Sequence, residues 1–570
     1  MYTTSTAFLD ALQEAGVSYI FANFGSDHPA IIEALANAKA RGRSLPRLVT
    51  CPNEMVALSA AHGFAQVTGR AQAVVVHVEC GTQSLGGAVH NAANGRIPAL
   101  IFAGASPFTQ RGEMFGSRNE YIHWIQDVRD QRGLVRGYVK HDNEIRTGHN
   151  VKQIVRRAMQ AAHSDPQGPV YLVGAREVME QPLNEEERES HSIPLSASAL
   201  APADAAYVAN MLTDAKMPVV VTSYLGRRKA AVPELVALCQ RLAVGVIESV
   251  PCCMNYPQND PMYQANQWNE ALQNPLLAEA DVVLIIDSDV PWIPTINQPS
   301  PSARIVHIDV DPLKERMPLW SFPVERSYRA DAATALRQIN DILQAMPVNP
   351  QVDRRRSRLV TAHNERRRLL RAKEPLADPA GVVTPEALTT AVRERLDLDA
   401  LVVNEGISNY KTIIDHLELS RPGSMLCSGA GSLGYNGGAA IGAKLARPDQ
   451  FVACLTGDGS YMFSAPSTVH WMARHYETPF LQVIYNNRGW KSPKLSTQAL
   501  RPNGAAGRRD GIGVEFDPPP DYAGIAAAAG GAFARTIKRA GELHQALDEA
   551  FDVVRTERRC AVLDVWLQAL

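Results

Sequence analysis

Residues 457–487 constrain the fold of this chain more than any other stretch. An apolar run at 451–455 leads into Gly457-Asp458-Gly459-Ser460, which is followed by a helical segment. A second apolar run, at 480–485, then leads into Asn486-Asn487. The order of strand, acidic turn, helix, strand and amide pair predicts a parallel α/β sheet whose strands end at one ligand-binding edge.

Asp458 and Asn487 each follow a predicted strand of this sheet. They would lie side by side at its edge, although they are 29 residues apart in the chain. A carboxylate and an amide oxygen suit a hard cation such as Mg²⁺, which usually keeps phosphate oxygens as further ligands. The N–H groups of Gly459 and Ser460, at the start of the helix, can face a diphosphate. The alternative is a turn in a purely structural βαβ unit.

Size and charge bound the class of protein. The 570 residues are enough for about three or four domains. Lys and Arg total 57 and Asp and Glu total 59, a net charge of −2, which gives no reason to expect nucleic acid or an anionic membrane as a partner. The eight cysteines form no Cys-x-x-Cys pair, and neither a signal peptide nor an 18-residue apolar run is apparent. We therefore expect a cytoplasmic globular enzyme without a membrane span.

Three α/β units follow one another along the chain. Helices and short apolar strands alternate in residues 1–185, 186–345 and 381–570, which predicts a doubly wound parallel sheet in each. The basic stretch 346–380 is expected to form a charged helix between units, and 183–205 a linker. The first and third units are expected to share one architecture.

Two motifs resemble a known superfamily. Gly-Asp-Gly, 26 intervening residues and Asn-Asn resemble the thiamine diphosphate signature of the acetolactate synthase, benzoylformate decarboxylase and pyruvate decarboxylase superfamily. Glu54 heads a predicted helix, 54–68, whose end, Gly63-Phe-Ala-Gln-Val-Thr-Gly69, resembles the glutamate helix of the same superfamily. The resemblance covers all three units and implies a pyrimidine-binding domain, a nucleotide-fold-like middle domain and a diphosphate-binding domain.

The resemblance assigns residues to the cofactor and its metal. Glu54 would activate the pyrimidine ring, since a buried carboxylate can share a proton with a ring nitrogen; helix capping is the alternative for this residue. Leu433 would lie beneath the two cofactor rings. The metal ligands would be Asp458, Asn487 and the backbone carbonyl of Gly489. The full cofactor set is Glu54, Gly406, Ser408, Asn409, Gly431, Leu433, Gly457, Asp458, Gly459, Ser460, Asn487 and Gly489.

Four residues are candidates for catalysis, namely Glu54, His77, Gln126 and His28. His77, on a strand predicted at 73–78, resembles a substrate-facing histidine of benzoylformate decarboxylases, where acetolactate synthases usually have a small residue. Gln126 resembles a glutamine that borders the substrate in acetolactate synthases. His28 and Asp27 occupy a loop where relatives often have Pro-Gly.

The resemblance implies an activity that depends on thiamine diphosphate and Mg²⁺. We expect a carbon–carbon bond enzyme acting on a 2-oxo acid, by decarboxylation with or without carboligation, as in acetolactate synthase. The alternatives are an aryl or branched 2-oxo acid decarboxylase of the benzoylformate type and a 2-hydroxyacyl-coenzyme A lyase. For the lyase, Arg501, Arg508 and Arg509 could meet coenzyme phosphates; the alternative is that they are ordinary exposed loop arginines. A nucleotide-binding regulator is the non-enzymatic alternative.

Further partners follow from the same resemblance. The middle domain of some members holds FAD or ADP. Here a Gly-x-Gly-x-x-Gly motif is not apparent, and Arg227-Arg228 could meet a phosphate or simply begin a solvated helix. Because the two halves of the site come from different subunits in relatives, a homodimer or homotetramer is expected.

Overall fold

The computed structural model describes residues 2–184, 193–347, 349–375, 381–508 and 512–569. Within these ranges the chain forms three six-stranded sheets, and neighbouring strands of each sheet pair in parallel. Runs of valine and isoleucine build the central strands, which are buried on both faces, as parallel sheets covered by helices require. The predicted α/β class with three parallel sheets is confirmed.

The first sheet has the order β2-β1-β3-β4-β6-β5. Its strands are β1 (Tyr19–Ala22), β2 (Arg47–Thr50), β3 (Ala73–Val76), β4 (Ala99–Ala105), β5 (His141–Ile145) and β6 (Pro169–Ala175). The helices around it are α1 (Thr4–Glu14), α2 (Pro29–Ala40), α3 (Glu54–Thr68), α4 (Val78–Ser84), α5 (Gly86–Asn94), α6 (Ile122–Ile125), α7 (Val151–His163) and α8 (Arg176–Met179).

The middle sheet has the order β12-β11-β10-β7-β8-β9, which is the strand order of dinucleotide-binding folds. Its strands are β7 (Pro218–Thr222), β8 (Gly245–Ser249), β9 (Tyr263–Gln267), β10 (Val282–Ile286), β11 (Arg304–Asp309) and β12 (Arg326–Arg329). Its helices are α9 (Pro202–Asp214), α10 (Ala231–Leu242), α11 (Pro275–Glu279) and α12 (Ala332–Gln344), and the charged helix α13 (Gln351–Arg371) follows.

The third sheet has the order β14-β13-β15-β16-β18-β17. Its strands are β13 (Leu401–Glu405), β14 (Met425–Leu426), β15 (Val452–Gly457), β16 (Leu481–Asn486), β17 (Phe533–Ile537) and β18 (Ala561–Trp566). Its helices are α14 (Pro385–Arg393), α15 (Tyr410–Leu417), α16 (Asn436–Ala446), α17 (Asp458–Phe463), α18 (Pro466–His475), α19 (Lys491–Leu500), α20 (Ala505–Arg508), α21 (Tyr522–Gly530) and α22 (Leu543–Asp552). If the strands of each sheet are numbered from one in chain order, the first and third sheets have the same order, 2-1-3-4-6-5.

Two predicted boundaries are wrong. The strand predicted at 73–78 ends at Val76, because the chain turns at His77 and the amide of Val78 donates to Asp27 Oδ2 at 3.1 Å. The linker predicted to reach residue 205 ends earlier, since α9 begins at Pro202. The domain boundaries at 185, 345 and 380 stay predictions, and residues 185–192 and 376–380 lie outside the described ranges.

Helices α3 and α16 join the first sheet to the third. They approach so closely that a Cβ added to Gly442 would lie 1.9 Å from the carbonyl oxygen of Ala60. One apolar cluster runs through the contact and includes Phe64 of α3 and Ile441 of α16. The carboxyl edges of the two sheets are therefore held within one packed body.

Candidate active site

A cavity of about 240 Å³ opens at the carboxyl edge of the third sheet. We call it the Asp458 cavity. It is lined by every predicted cofactor residue except Glu54 and Gly406. Gly406 directly precedes Ile407, the first lining residue in the chain. The lining residues are Ile407, Ser408, Asn409, Gly431, Leu433, Gly457, Asp458, Gly459, Ser460, Tyr485, Asn487, Gly489, Trp490, Lys491, Ser492 and Pro493.

Asp458 is the most constrained side chain of this cavity. Its Oδ1 accepts the N–H of Gly459 and its Oδ2 accepts the N–H of Gly489, both at 2.9 Å. Burial raises the pKa of Asp458 to about 6, although these backbone N–H groups act in the opposite direction. A cation beside this carboxylate would offset the cost of its burial.

Asn487 has a side-chain oxygen suited to a cation. Its Oδ1 is buried and has no hydrogen-bond partner among the described residues. The part of the chain that the structure describes contains no group of three or more His, Cys, Asp and Glu side chains able to hold a metal. The predicted set of one carboxylate, one amide and one backbone carbonyl needs no such group, so Asp458 and Asn487 fit Mg²⁺ that also binds phosphate oxygens.

Glu54 lies at the carboxyl edge of the first sheet. It begins α3, which Asn53 caps by accepting the N–H of Val56 at 3.1 Å. The Glu54 side chain is mostly buried, and its Oε1 accepts from Asn23 Nδ2 at 2.9 Å. The capping role therefore belongs to Asn53, and the Glu54 carboxylate points elsewhere. Asn23 was not predicted, although its position directly after β1 marks the same edge.

An aspartate–histidine pair lies beside Glu54. Asp27 Oδ1 is 2.6 Å from His77 Nδ1, and Gly25 allows this approach, because a Cβ there would lie 1.9 Å from the same nitrogen. Burial alone would raise the pKa of Asp27, but the imidazoles of His28 and His77 lower it well below its usual range. The hydrogen bond to Asp27 raises the pKa of His77 above its ordinary value, partial burial lowers it, and the charge of Glu54 adds to the rise.

Gln126 and His28 complete what we call the His77 cluster, defined as Asp27, His28, His77 and Gln126. Gln126 is adjacent to His77 and helps to raise the pKa of its imidazole. Both amide atoms of Gln126 are buried without a well-formed hydrogen bond among the described residues, and so is Nε2 of His28. Nδ1 of His28 is 3.0 Å from both the Gly25 nitrogen and Asp27 Oδ1, and it can accept from the first or donate to the second.

One further residue near the cluster, His123, was not predicted. His123 is fully buried, and its Nε2 lies 3.3 Å from Ser26 Oγ and 3.2 Å from Arg176 Nη1. Burial and then the charge of Arg176 lower the pKa of His123. The 106–121 segment before His123 is irregular, so the sequence pattern carried no signal for this residue.

The two edges remain separate within one chain. Among the described residues, the Asp458 cavity is lined by the third sheet and its loops alone. Met55 nevertheless reaches the loop before α16, since a Cβ on Gly434 would lie 2.9 Å from its Cε. Arg501 is exposed, whereas the side chain of Arg508 and the whole of Arg509 lie outside the described residues. The contact of these arginines with coenzyme phosphates therefore stays a prediction.

A larger cavity, of about 740 Å³, lies where the three sheets meet. Arg227 and Arg228 line it and both pair with Asp165, with Arg227 Nη1 at 3.0 Å from Asp165 Oδ1. Arg227 is largely buried, so it does not begin a solvated helix. Nε and Nη2 of Arg227 remain without a hydrogen-bond partner among the described residues.

Family models match three parts of the chain. Residues 2–134 match the N-terminal TPP binding domain, residues 205–339 the central domain and residues 406–565 the C-terminal TPP binding domain of thiamine pyrophosphate enzymes. The chain therefore belongs to the thiamine pyrophosphate enzyme family; this cofactor is also called thiamine diphosphate. It is an enzyme of the branch that contains acetolactate synthases and 2-oxo acid decarboxylases.

Relatives with different activities are similarly distant. The chain is 24% identical to a probable acetolactate synthase large subunit of Methanococcus aeolicus, over 96% of this chain and 89% of that protein. It is 25% identical to benzoylformate decarboxylase of Pseudomonas aeruginosa, over 85% of this chain and 86% of that protein. A solved thiamine diphosphate-dependent 4-hydroxybenzoylformate decarboxylase of Rhodococcus jostii has the same fold, with a TM-score of 0.79, 22% identity and coverage of 100% and 99%.

Proposed function

We propose that this enzyme decarboxylates a 2-oxo acid with thiamine diphosphate and Mg²⁺, and that His77 delivers the proton that completes the product. The observation that carries the proposal is the 2.6 Å contact between Asp27 and His77 at the edge that also holds Glu54. A histidine whose pKa is raised is protonated over more of the neutral range, as a proton donor requires.

When bound, the cofactor supplies a carbon nucleophile and a cationic ring that accepts the electron pair released as carbon dioxide leaves. Glu54 would share a proton with the pyrimidine nitrogen of the bound cofactor, and Asn23 positions the carboxylate by donating to its Oε1 at 2.9 Å. Because Glu54 is mostly buried, little water competes for that proton. Glu54 is therefore the activating residue of the proposal.

His77 has a free nitrogen for the substrate. Asp27 binds Nδ1, so Nε2 is the atom able to give a proton to the product carbon. About 23% of the His77 side chain is exposed, so a substrate can reach it. The side-chain N–H of Gln126 and the Nε2–H of His28 would donate to the oxygens of the 2-oxo acid.

Mg²⁺ would be held by Asp458, Asn487 and the carbonyl of Gly489. The raised pKa of Asp458 and the unpaired Oδ1 of Asn487 support this assignment. Ser408, Asn409 and Ser460 would face the diphosphate, at a cavity edge where helix N–H groups favour anions.

A substrate panel tests the proposal. Purified enzyme with thiamine diphosphate and Mg²⁺ is given pyruvate, a branched 2-oxo acid, an aryl 2-oxo acid and a 2-hydroxyacyl-coenzyme A, and the products are identified by mass spectrometry. We expect carbon dioxide and an aldehyde from an aryl or branched acid. A 2-hydroxy ketone as main product would transfer the assignment to acetolactate synthase-like carboligation. Turnover of the 2-hydroxyacyl-coenzyme A alone, by cleavage of its carbon–carbon bond to an aldehyde and formyl-coenzyme A, would contradict the proposal.

A second copy of the chain would complete the site. The Asp458 cavity lacks a lining residue from the first sheet, at least among the described residues, whereas the proposed chemistry needs Glu54 against the cofactor. The Glu54 edge of one copy would therefore meet the Asp458 cavity of another, in a homodimer or homotetramer. Active monomers in light scattering coupled to an activity assay would contradict this.

The large cavity would take an anionic nucleotide such as FAD or ADP, because Arg227 keeps Nε and Nη2 free beside it. Absorbance and mass spectrometry of nucleotide released from the denatured enzyme would identify it. We assign the enzyme to the cytoplasm, where free thiols such as its eight cysteines persist. Among the described helices, none is long and apolar enough to cross a membrane.

A further inference from the structure

A buried carboxylate adjoins the Asp458 cavity without lining it. Glu405 ends β13 and is 2% exposed. Its Oε1 accepts the N–H of Tyr435 at 3.2 Å, and its Oε2 accepts both the N–H and the side-chain Nδ2 of Asn436, at 3.0 and 2.6 Å. These bonds tie the end of β13 to the start of α16.

Asn436 carries the connection further. It is fully buried, and its Nδ2 also donates to the carbonyl oxygen of Ser460 at 3.2 Å. Gln482 Nε2 reaches the Oδ1 of Asn436 at 3.5 Å. To cap α16, Glu405 needs only to accept from backbone N–H groups. The hydrogen bond from Asn436 to Ser460 is therefore not part of the cap.

The two side chains join three of the four segments that wall the cavity, and the fourth comprises residues 485–493. The 406–409 loop continues directly from Glu405, the loop holding Gly431 and Leu433 ends at Tyr435, and the turn 457–460 ends at the carbonyl that Asn436 contacts. Predicted diphosphate contacts, the apolar support and the metal ligand Asp458 therefore belong to segments fixed by one buried network.

The electrostatic setting of Glu405 makes this network sensitive to substitution. Burial raises the pKa of Glu405 to about 7, although the N–H donors of Asn436, Tyr435 and Gly434 lower it. Burial raises the pKa values of the Cys454 thiol and the Tyr435 phenol, and the charge of Glu405 adds to both. Removing one partner leaves buried polar groups without hydrogen bonds. This lowers stability more than the loss of the same hydrogen bond at the surface would.

We propose that Glu405 and Asn436 are positioning residues that set the spacing of the cofactor-binding loops. Neither lines the cavity, so both act through the segments they connect. The inference rests on the proposed function, because it assumes that the Asp458 cavity binds thiamine diphosphate. It predicts a loss of cofactor affinity larger than the loss of turnover.

The test compares Asn436→Ala, Glu405→Gln and their double variant with the wild type. The dissociation constant of thiamine diphosphate is measured by fluorescence titration in excess MgCl₂, and kcat is measured at saturating cofactor. We expect each single variant to weaken binding by about 10- to 100-fold, with kcat at saturation within about threefold of the wild type. Because both residues belong to one network, the double variant should lose about as much as the weaker-binding single variant.

Cys454→Ala is the matched control, since Cys454 is buried in β15 beside Glu405 but joins no two cavity segments. It should lower the midpoint of thermal unfolding without changing cofactor affinity. Asn436→Ser is the milder variant if Asn436→Ala does not fold. Unchanged affinity in folded variants, or additive losses in the double variant, would overturn the inference. A wild type that does not bind the cofactor would overturn the proposed function as well.

Discussion

The first and third sheets share one strand order but carry opposite chemistry at the same place. In each, the residue directly after the third strand lies at the carboxyl edge: His77 after β3 and Asp458 after β15. One is an imidazole whose pKa is raised by a carboxylate, and the other is a buried carboxylate that fits a cation. The architecture determines where a functional side chain lies, and the residue type determines its task.

The largest expected effect concerns Glu54, the proposed activating residue at the carboxyl edge of the first sheet. Glu54→Gln keeps the shape of the side chain and removes its exchangeable proton, so kcat should fall by about 100- to 10,000-fold. Cofactor binding, followed by fluorescence titration, should persist. Glu79→Gln, at another buried carboxylate of the first sheet, is the control and should retain turnover. Intact turnover in Glu54→Gln with bound cofactor would contradict the assignment.

Asp458 tests the opposite side of the comparison. Asp458→Asn removes the only charged ligand proposed for Mg²⁺, so the affinity for cofactor and metal should fall by at least about 100-fold. Isothermal titration with thiamine diphosphate and MgCl₂ measures this loss. Asp521→Asn removes a charge from an exposed helix cap of the same sheet and should leave affinity unchanged. The His77→Gln variant should bind the cofactor with wild-type affinity. Equal losses of affinity in Asp458→Asn and His77→Gln would contradict the difference in task between the two sheets.

Asp27 tests how the first sheet tunes its histidine. The hydrogen bond to the Asp27 carboxylate favours protonated His77, so Asp27→Asn should lower the pKa of that imidazole. A proton donor acts in its protonated form, and activity falls as pH rises through its pKa. The alkaline limb of the kcat–pH profile should therefore move to lower pH in the variant. A limb that stays in place would show that another group delivers the proton.

The smallest effect concerns the contact between the two sheets. Gly442→Ala would force a methyl group against the carbonyl oxygen of Ala60, and we expect it to lower the free energy of unfolding by about 1–3 kcal/mol. Gly541→Ala introduces the same group where no atom lies within 4 Å and serves as the control. Denaturant unfolding of both variants measures the difference. Equal stabilities would show that α3 and α16 can separate without cost.

Motifs that follow strands were predictable from the sequence. Asp458 and Asn487 follow strands β15 and β16, which pair in parallel, so alternation of apolar runs and turns was enough to bring them together. The helix 54–68 was predicted with its observed bounds, because Asn53 marks its start and Gly69 its end.

Contacts made by irregular segments were not predictable. Asp27 pairs with His77 because β1 and β3 are neighbours in the sheet. Only the observed order of strands in the sheet reveals that they are neighbours. His123 approaches Ser26 from a segment without periodicity, and Glu405 contacts Asn436 across 31 residues with no motif linking them. Strands β5, β9 and β12 have mixed polar sequences, so hydrophobic pattern did not identify them.

The tight contact of α3 with α16 has a consequence for synthesis on the ribosome. Ala60 emerges roughly 380 residues before Gly442, and translation at about 5–20 residues per second separates them by roughly 20–75 seconds. During that interval the apolar face of α3 has no α16 to cover it. The nascent N-terminal portion therefore exposes an apolar surface that the finished protein buries.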